Sequence, residues 1–140
     1  MNIISNAVKY NKEKGEILLS YYETQVDDRH ILFEFHCKDT GVGMSKEFQN
    51  HIFEPFTQET GGARSVYGGT GLGMPITKKL IEKMGGTIKF ESEKNVGTTF
   101  MVQLPFLISA DMKQAESQEV VADNGGPVDR NSIADHVVQA

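Results

Sequence analysis

The sequence predicts an α+β fold: a two-layer sandwich of a mostly antiparallel, mixed sheet with helices on one face. Three observations predict it. Residues 16–23 and 30–38 alternate apolar and polar side chains across a short polar connection, as a hairpin does. Residues 87–93 and 98–104 repeat that pattern across Asn95-Val96-Gly97. Residues 2–10 and 72–84 instead carry apolar residues at helical spacing.

The elements follow in chain order. In 2–10, Ile3, Ala7 and Tyr10 share one helix face, with Ile4 and Val8 beside it. Gly15 ends this unit, and the strand 16–23 places Ile17, Leu19 and Tyr21 on one side. Asp27-Asp28 supplies the turn into 30–38, where Ile31, Phe33, Phe35 and Cys37 alternate with Leu32, Glu34, His36 and Lys38. Ser45 is a suitable N-cap for a short helix ending near Phe53 and Pro55. Residues 57–70 are glycine-rich, without hydrophobic period, and longer than a simple connection requires. Gly85-Gly86 stops the helix 72–84. Beyond Ser109 apolar residues are sparse and aperiodic, and Gly125-Gly126-Pro127 breaks any regular element. The expected organisation is a folded unit over 1–107 and a linker or disordered tail over 108–140.

Charge separates the same two regions. Residues 1–107 hold 12 basic and 13 acidic side chains, and the remaining 33 hold two and six, which leaves the folded part nearly neutral. No basic stripe suits nucleic acid. No apolar run approaches membrane-spanning length, so no membrane contact is expected of this segment. The single Cys37 cannot form an internal disulfide, which suits a reducing compartment. A cytoplasmic location is expected, with a parent protein that other segments could anchor.

Three stretches carry chemistry. Asn2 and Asn6 lie four apart on one helix face, suited either to ligating a hard cation through an amide oxygen or to a solvated surface. Asp39-Thr40-Gly41-Val42-Gly43-Met44 follows a strand. Its carboxylate suits an exocyclic amine, and the same pattern suits a tight turn with an Asx cap. Gly68-Gly69-Thr70-Gly71-Leu72-Gly73 opens a helix, where backbone N–H groups favour an anion. Its spacing departs from the dinucleotide fingerprint, and no Walker-type phosphate loop occurs.

In this order, with Ile52-Phe53-Glu54-Pro55-Phe56 and Gly97-Thr98-Thr99-Phe100, the stretches resemble the N, G1, F and G2 boxes and the closing strand of the ATP-binding catalytic domain of sensor histidine kinases. That family belongs to the gyrase, chaperone and mismatch-repair ATPase superfamily, with the Bergerat-type fold. The resemblance implies ATP and Mg²⁺ as ligands. It implies that Asn6 ligates Mg²⁺, with Asn2 its partner one turn earlier, and that Lys9 reaches the phosphates. By the same resemblance Tyr10 packs near the adenine, and Asp39 accepts from the adenine amine in a pocket shaped by Gly41 and Gly43 and joined by the Thr98 hydroxyl. Arg64 is placed near the γ-phosphate, and Gly69, Gly71, Leu72 and Gly73 form the lid's exit and the phosphate-facing helix start. Asn6, Lys9 and Arg64 are the implied catalytic group. The ATPases of the superfamily carry glutamate where Asn2 stands, and an asparagine amide cannot act as general base.

The implied function is donation of the γ-phosphoryl group to a histidine on a dimerisation domain outside this chain, with a response-regulator receiver domain downstream. The alternative is a nucleotide-binding module without kinase activity of its own. In the family the domain begins with a strand and the first half of the N-box helix, so the chain is expected to be incomplete at its N-terminus and unable to phosphorylate itself alone.

Overall fold

The computed structural model describes residues 2–59, 69–108 and 134–139. Its elements are α1 (Asn2–Lys9), β1 (Glu16–Gln25), β2 (His30–Asp39), α2 (Lys46–Gln49), α3 (Gly73–Lys83), β3 (Thr87–Glu93), β4 (Gly97–Leu107) and β5 (Ala134–Gln139). The sheet order is β3-β4-β2-β1-β5, and every pairing is antiparallel.

Register puts both side chains of each facing pair on the same side of the sheet. Ile17 faces Asp39 and Leu19 faces Cys37 across β1 and β2. Cys37 faces Phe100, Phe35 faces Val102, and Asp39 faces Thr98 across β2 and β4. Phe90 faces Phe100 and Ser92 faces Thr98 across β3 and β4. The apolar half of β1, β2, β3 and β4 therefore meets the helices, as the alternation predicts. Ile3 and Ala7 of α1, Met74 and Ile81 of α3, and Met44 and Ile52 complete the core. Phe53 packs on Phe90 with ring centroids 5.8 Å apart, under the Lys78 ammonium at 4.9 Å. Burying the Ile17 side chain, which is 1% exposed, contributes roughly 1.5–3 kcal/mol of transfer free energy.

Three elements differ from the sequence expectation. β4 continues to Leu107 through Pro105. It can do so because β3 begins opposite Gln103, which frees one side of β4 beyond that point from a ladder that Pro105 could not join. The helix after Ser45 is a single turn that ends at Gln49, and the chain continues through turns to Phe56. The tail expectation contained no strand, yet Ala134–Gln139 pairs with β1. Its Val137-Val138 pair supplies local β-propensity, and an unpaired β1 edge supplies the partner.

Candidate functional site

The cavity lies between α1, the segment 48–59 and the start of α3. α1 brings Asn6 and Lys9, both half-buried, to this cavity. A methyl group on Gly69 would stand 3.3 Å from the Lys9 Nζ, so that ammonium lies against the glycine-rich stretch. The same ammonium lies 5.1 Å from the Tyr10 ring centre. An open cavity of roughly 200 Å³ is lined by Asn6, Lys9, Tyr10, Gly69, Gly71 and Gly73 among the expected residues. Phe48, Ile52, Thr57, Gln58, Glu59, Thr70, Met74, Pro75 and Phe100 complete its lining.

The other expected residues lie around this cavity and outside its lining. Asn2 Nδ2 donates to the Gly73 carbonyl and to Thr77 Oγ1, both at 3.0 Å, tying α1 to the first turn of α3. Leu72 is the residue before α3 and half-buried. Asp39 and Thr98 stand two residues along the strands from the Cys37–Phe100 pair, and both are buried. Asp39 Oδ1 accepts from Gly41 N at 2.9 Å and Thr98 N at 3.2 Å. Thr98 Oγ1 lies 2.9 Å from Ser92 Oγ, which accepts from Met44 N at 2.9 Å. Arg64 lies outside the described residues, as does Gly68.

Backbone geometry explains two glycines. Gly43 has φ +59°, and a Cβ there would fall 1.9 Å from the Glu93 carbonyl oxygen. Gly71 has φ +68°, and its Cβ would meet Phe56 backbone at 2.8 Å. Both positions combine a left-handed conformation with backbone contact that only glycine allows. The turn after β2 is fixed further by Val42 N donating to the Tyr10 carbonyl at 3.0 Å and Asn95 N donating to the Val42 carbonyl at 2.8 Å.

Sequence reasoning missed Thr77, Ser92, Glu59 and Lys94. The register Ser92↔Thr98 was within reach, since hairpin pairing about Asn95-Val96-Gly97 puts the two hydroxyls opposite. Glu59 and Lys94 are 35 residues apart, and no local pattern joins them. Glu59 is buried; burial raises its pKa, and the Lys94 ammonium at 2.6 Å with the Ser45 N–H at 3.2 Å outweighs that and holds it below the ordinary range. Cys37 beside Asp39 is pushed up to about 11, by burial first and by the neighbouring carboxylate second, which makes it a packing residue with an inert thiol. Among the described residues no group of three or more His, Cys, Asp or Glu could hold a metal, and no helix is long and apolar enough to cross a membrane.

Fold and site together define an α+β domain with an open cleft beside α1 and the start of α3. A family model described as histidine kinase-, DNA gyrase B- and HSP90-like ATPase matches residues 1–108, and the chain belongs to that family. It is the ATP-binding catalytic domain of the histidine-kinase type. Histidine protein kinase 1 of Candida albicans is 45% identical over 104 residues, covering 74% of this chain and 4% of that protein. The circadian input-output histidine kinase CikA of Synechococcus elongatus is 40% identical over 105 residues, covering 75% and 13%. The solved mycobacterial sensor histidine kinase MprB superposes with a TM-score of 0.58 at 26% identity, over 75% of this chain and 68% of that one. Full-length ShkA in complex with AMPPNP gives 0.54 at 29%, over 78% and 21%. The chain thus spans a small part of the curated relatives named here.

Proposed function

We propose that this domain binds Mg–ATP between α1 and the start of α3 and presents the γ-phosphoryl group to a histidine on a dimerisation domain, as one step of two-component signalling. The observation that carries this is the convergence of the Asn6 amide and the Lys9 ammonium with the Gly69, Gly71 and Gly73 backbone on one cleft. Bound Mg–ATP supplies the phosphoryl group and its electrophilic phosphorus. The chain supplies position and charge. Asn6 offers an amide oxygen to the metal. Lys9 and the first amides of α3 face the phosphates, and Arg64 is assigned to the γ-phosphate. Asp39, oriented by two backbone N–H donors, is the acceptor for the adenine amine, with Gly41, Gly43 and Thr98 around it and Tyr10 beside the base.

Asn2 supports transfer over hydrolysis. Its amide is already engaged in holding α3, and it has no basic atom to take a proton from water. The AMPPNP complex of ShkA supports a nucleotide ligand for a domain of this shape. The relatives include hybrid kinases such as the hybrid signal transduction histidine kinase B of Dictyostelium discoideum, which supports a receiver domain as downstream partner. The test is titration of the chain with a fluorescent ATP analogue, with and without Mg²⁺, followed by a phosphate-release assay. Mg²⁺-dependent binding with slow release supports the proposal. Steady phosphate release would make the domain a hydrolase, and absence of binding would leave it without nucleotide function.

A further inference from the structure

One carboxylate in the cavity lining is explained neither by the nucleotide roles above nor by the core. Glu59 has a side chain 6% exposed, an unusual place for a charge in a surface segment. Its Oε1 accepts from Ser45 N at 3.2 Å and from Lys94 Nζ at 2.6 Å. Those two donors belong to different parts of the fold. Ser45 is the N-cap of α2, its Oγ accepting from Phe48 N at 3.2 Å, and Phe48 lines the cavity. Lys94 sits in the turn between β3 and β4. That turn is joined to the segment 42–45 by Asn95 N to the Val42 carbonyl, and Gln49 Nε2 bridges the Met44 and Ser92 carbonyls at 3.0 Å each.

The segment 57–59 forms one wall of the cleft, and its other end is fixed independently. Phe56 N donates to the Gly71 carbonyl at 3.1 Å, and Gln58 Nε2 donates to the Gly69 carbonyl. The wall is therefore pinned to the glycine-rich stretch at one end and, through Glu59, to Ser45 and Lys94 at the other. We infer that Glu59, held by Lys94, is a positioning residue that fixes the 57–59 wall across the nucleotide cleft. The inference rests on the nucleotide reading given above. The position of the wall depends on a charge-assisted contact, which is stronger and more directional than a neutral one. Replacing Glu59 by glutamine keeps an acceptor for Ser45 N and removes the ion pair. Replacing Lys94 by methionine removes the partner and leaves the carboxylate buried without it.

The experiment is isothermal titration of ATP in the presence of Mg²⁺ into the full chain and into E59Q, K94M, K94R and the E59Q/K94M double variant, with thermal melts to confirm that each is folded. E59Q and K94M are each expected to weaken ATP binding about fivefold, the scale of about 1 kcal/mol carried by one such contact. The double variant is expected to bind no more weakly than K94M, because both changes remove the same contact. K94R, which keeps the charge, is expected within about twofold of the parent. A merely structural role would lower the melting temperature and leave the affinity of the folded protein unchanged. Unchanged or tighter binding by E59Q and K94M, additive losses, or a K94R as weak as K94M overturns the inference while leaving the nucleotide reading intact. A parent chain that binds no ATP overturns both.

Discussion

Asp39→Asn separates binding from folding at the assigned base contact. Asp39 is 9% exposed, and its Oδ1 accepts two backbone N–H groups, from Gly41 at 2.9 Å and Thr98 at 3.2 Å. An asparagine keeps one oxygen, which can take over both bonds. Those bonds fall from charge-assisted to neutral strength, a loss of about 1 kcal/mol. For a domain of this size that lowers the melting temperature by about 4–8 °C. The amide nitrogen replaces the other carboxylate oxygen and opposes a donor, the adenine amine, with a donor. A hydrogen bond involving a charged group is worth about 1.5–3 kcal/mol, so the affinity for ATP should drop about 10- to 150-fold. The assay is displacement of a fluorescent ATP analogue at a temperature where both proteins are folded by circular dichroism. Asp39→Ala is the contrasting case, because it strips the acceptor from two N–H groups in a buried place and costs about 2–6 kcal/mol of stability. Binding by Asp39→Asn within twofold of the parent would refute the adenine contact, whatever happened to the melting temperature.

Gly43→Ala is expected to unfold the turn after β2, because the new Cβ meets the Glu93 carbonyl oxygen at 1.9 Å in a left-handed backbone; circular dichroism melts should show a large loss, and a native-like melt would contradict the close approach. Acid should act through Glu59. Its folded pKa is below the unfolded value of about 4.3, so its ionised form contributes stability above that pH and loses it as pH falls through the folded value. The gap in melting temperature between the parent and E59Q should therefore be widest near neutrality and close as pH falls through the lowered folded value, and a gap independent of pH would exclude Glu59 as its source. The Cys37 thiol, near 11 and 1% exposed, should react with a disulfide reagent at pH 8 only at the rate of unfolding, in contrast to a free cysteine; prompt labelling of the native chain would place it at the surface.

Much of the fold was legible because its signals are local. Alternation in 16–23 and 30–38 put Ile17, Leu19, Phe35 and Cys37 on one side, and the register observed between β1 and β2 is the one that keeps them together. Hidden from that reading was β5, since a short strand after a long aperiodic stretch depends on an available sheet edge. The extension of β4 through Pro105 was hidden as well, because it depends on where β3 begins.

Within the site, the chain alone marked the residues proposed to meet a phosphate-bearing nucleotide: Asn6 and Lys9 on one helix, Asp39 at a strand end, and glycines before a helix. Side-chain chemistry and backbone spacing leave each stretch open to a plainer reading, and it is the resemblance of their order to the kinase boxes that assigns them to a nucleotide. Only the tertiary structure decided their company. It gave Asn2 to α3, set Thr98 and Ser92 behind the cleft with Asp39, and brought Glu59 to Lys94. Such pairings depend on how the sheet and helices pack, and contacts between residues tens of positions apart leave no periodic trace in the chain.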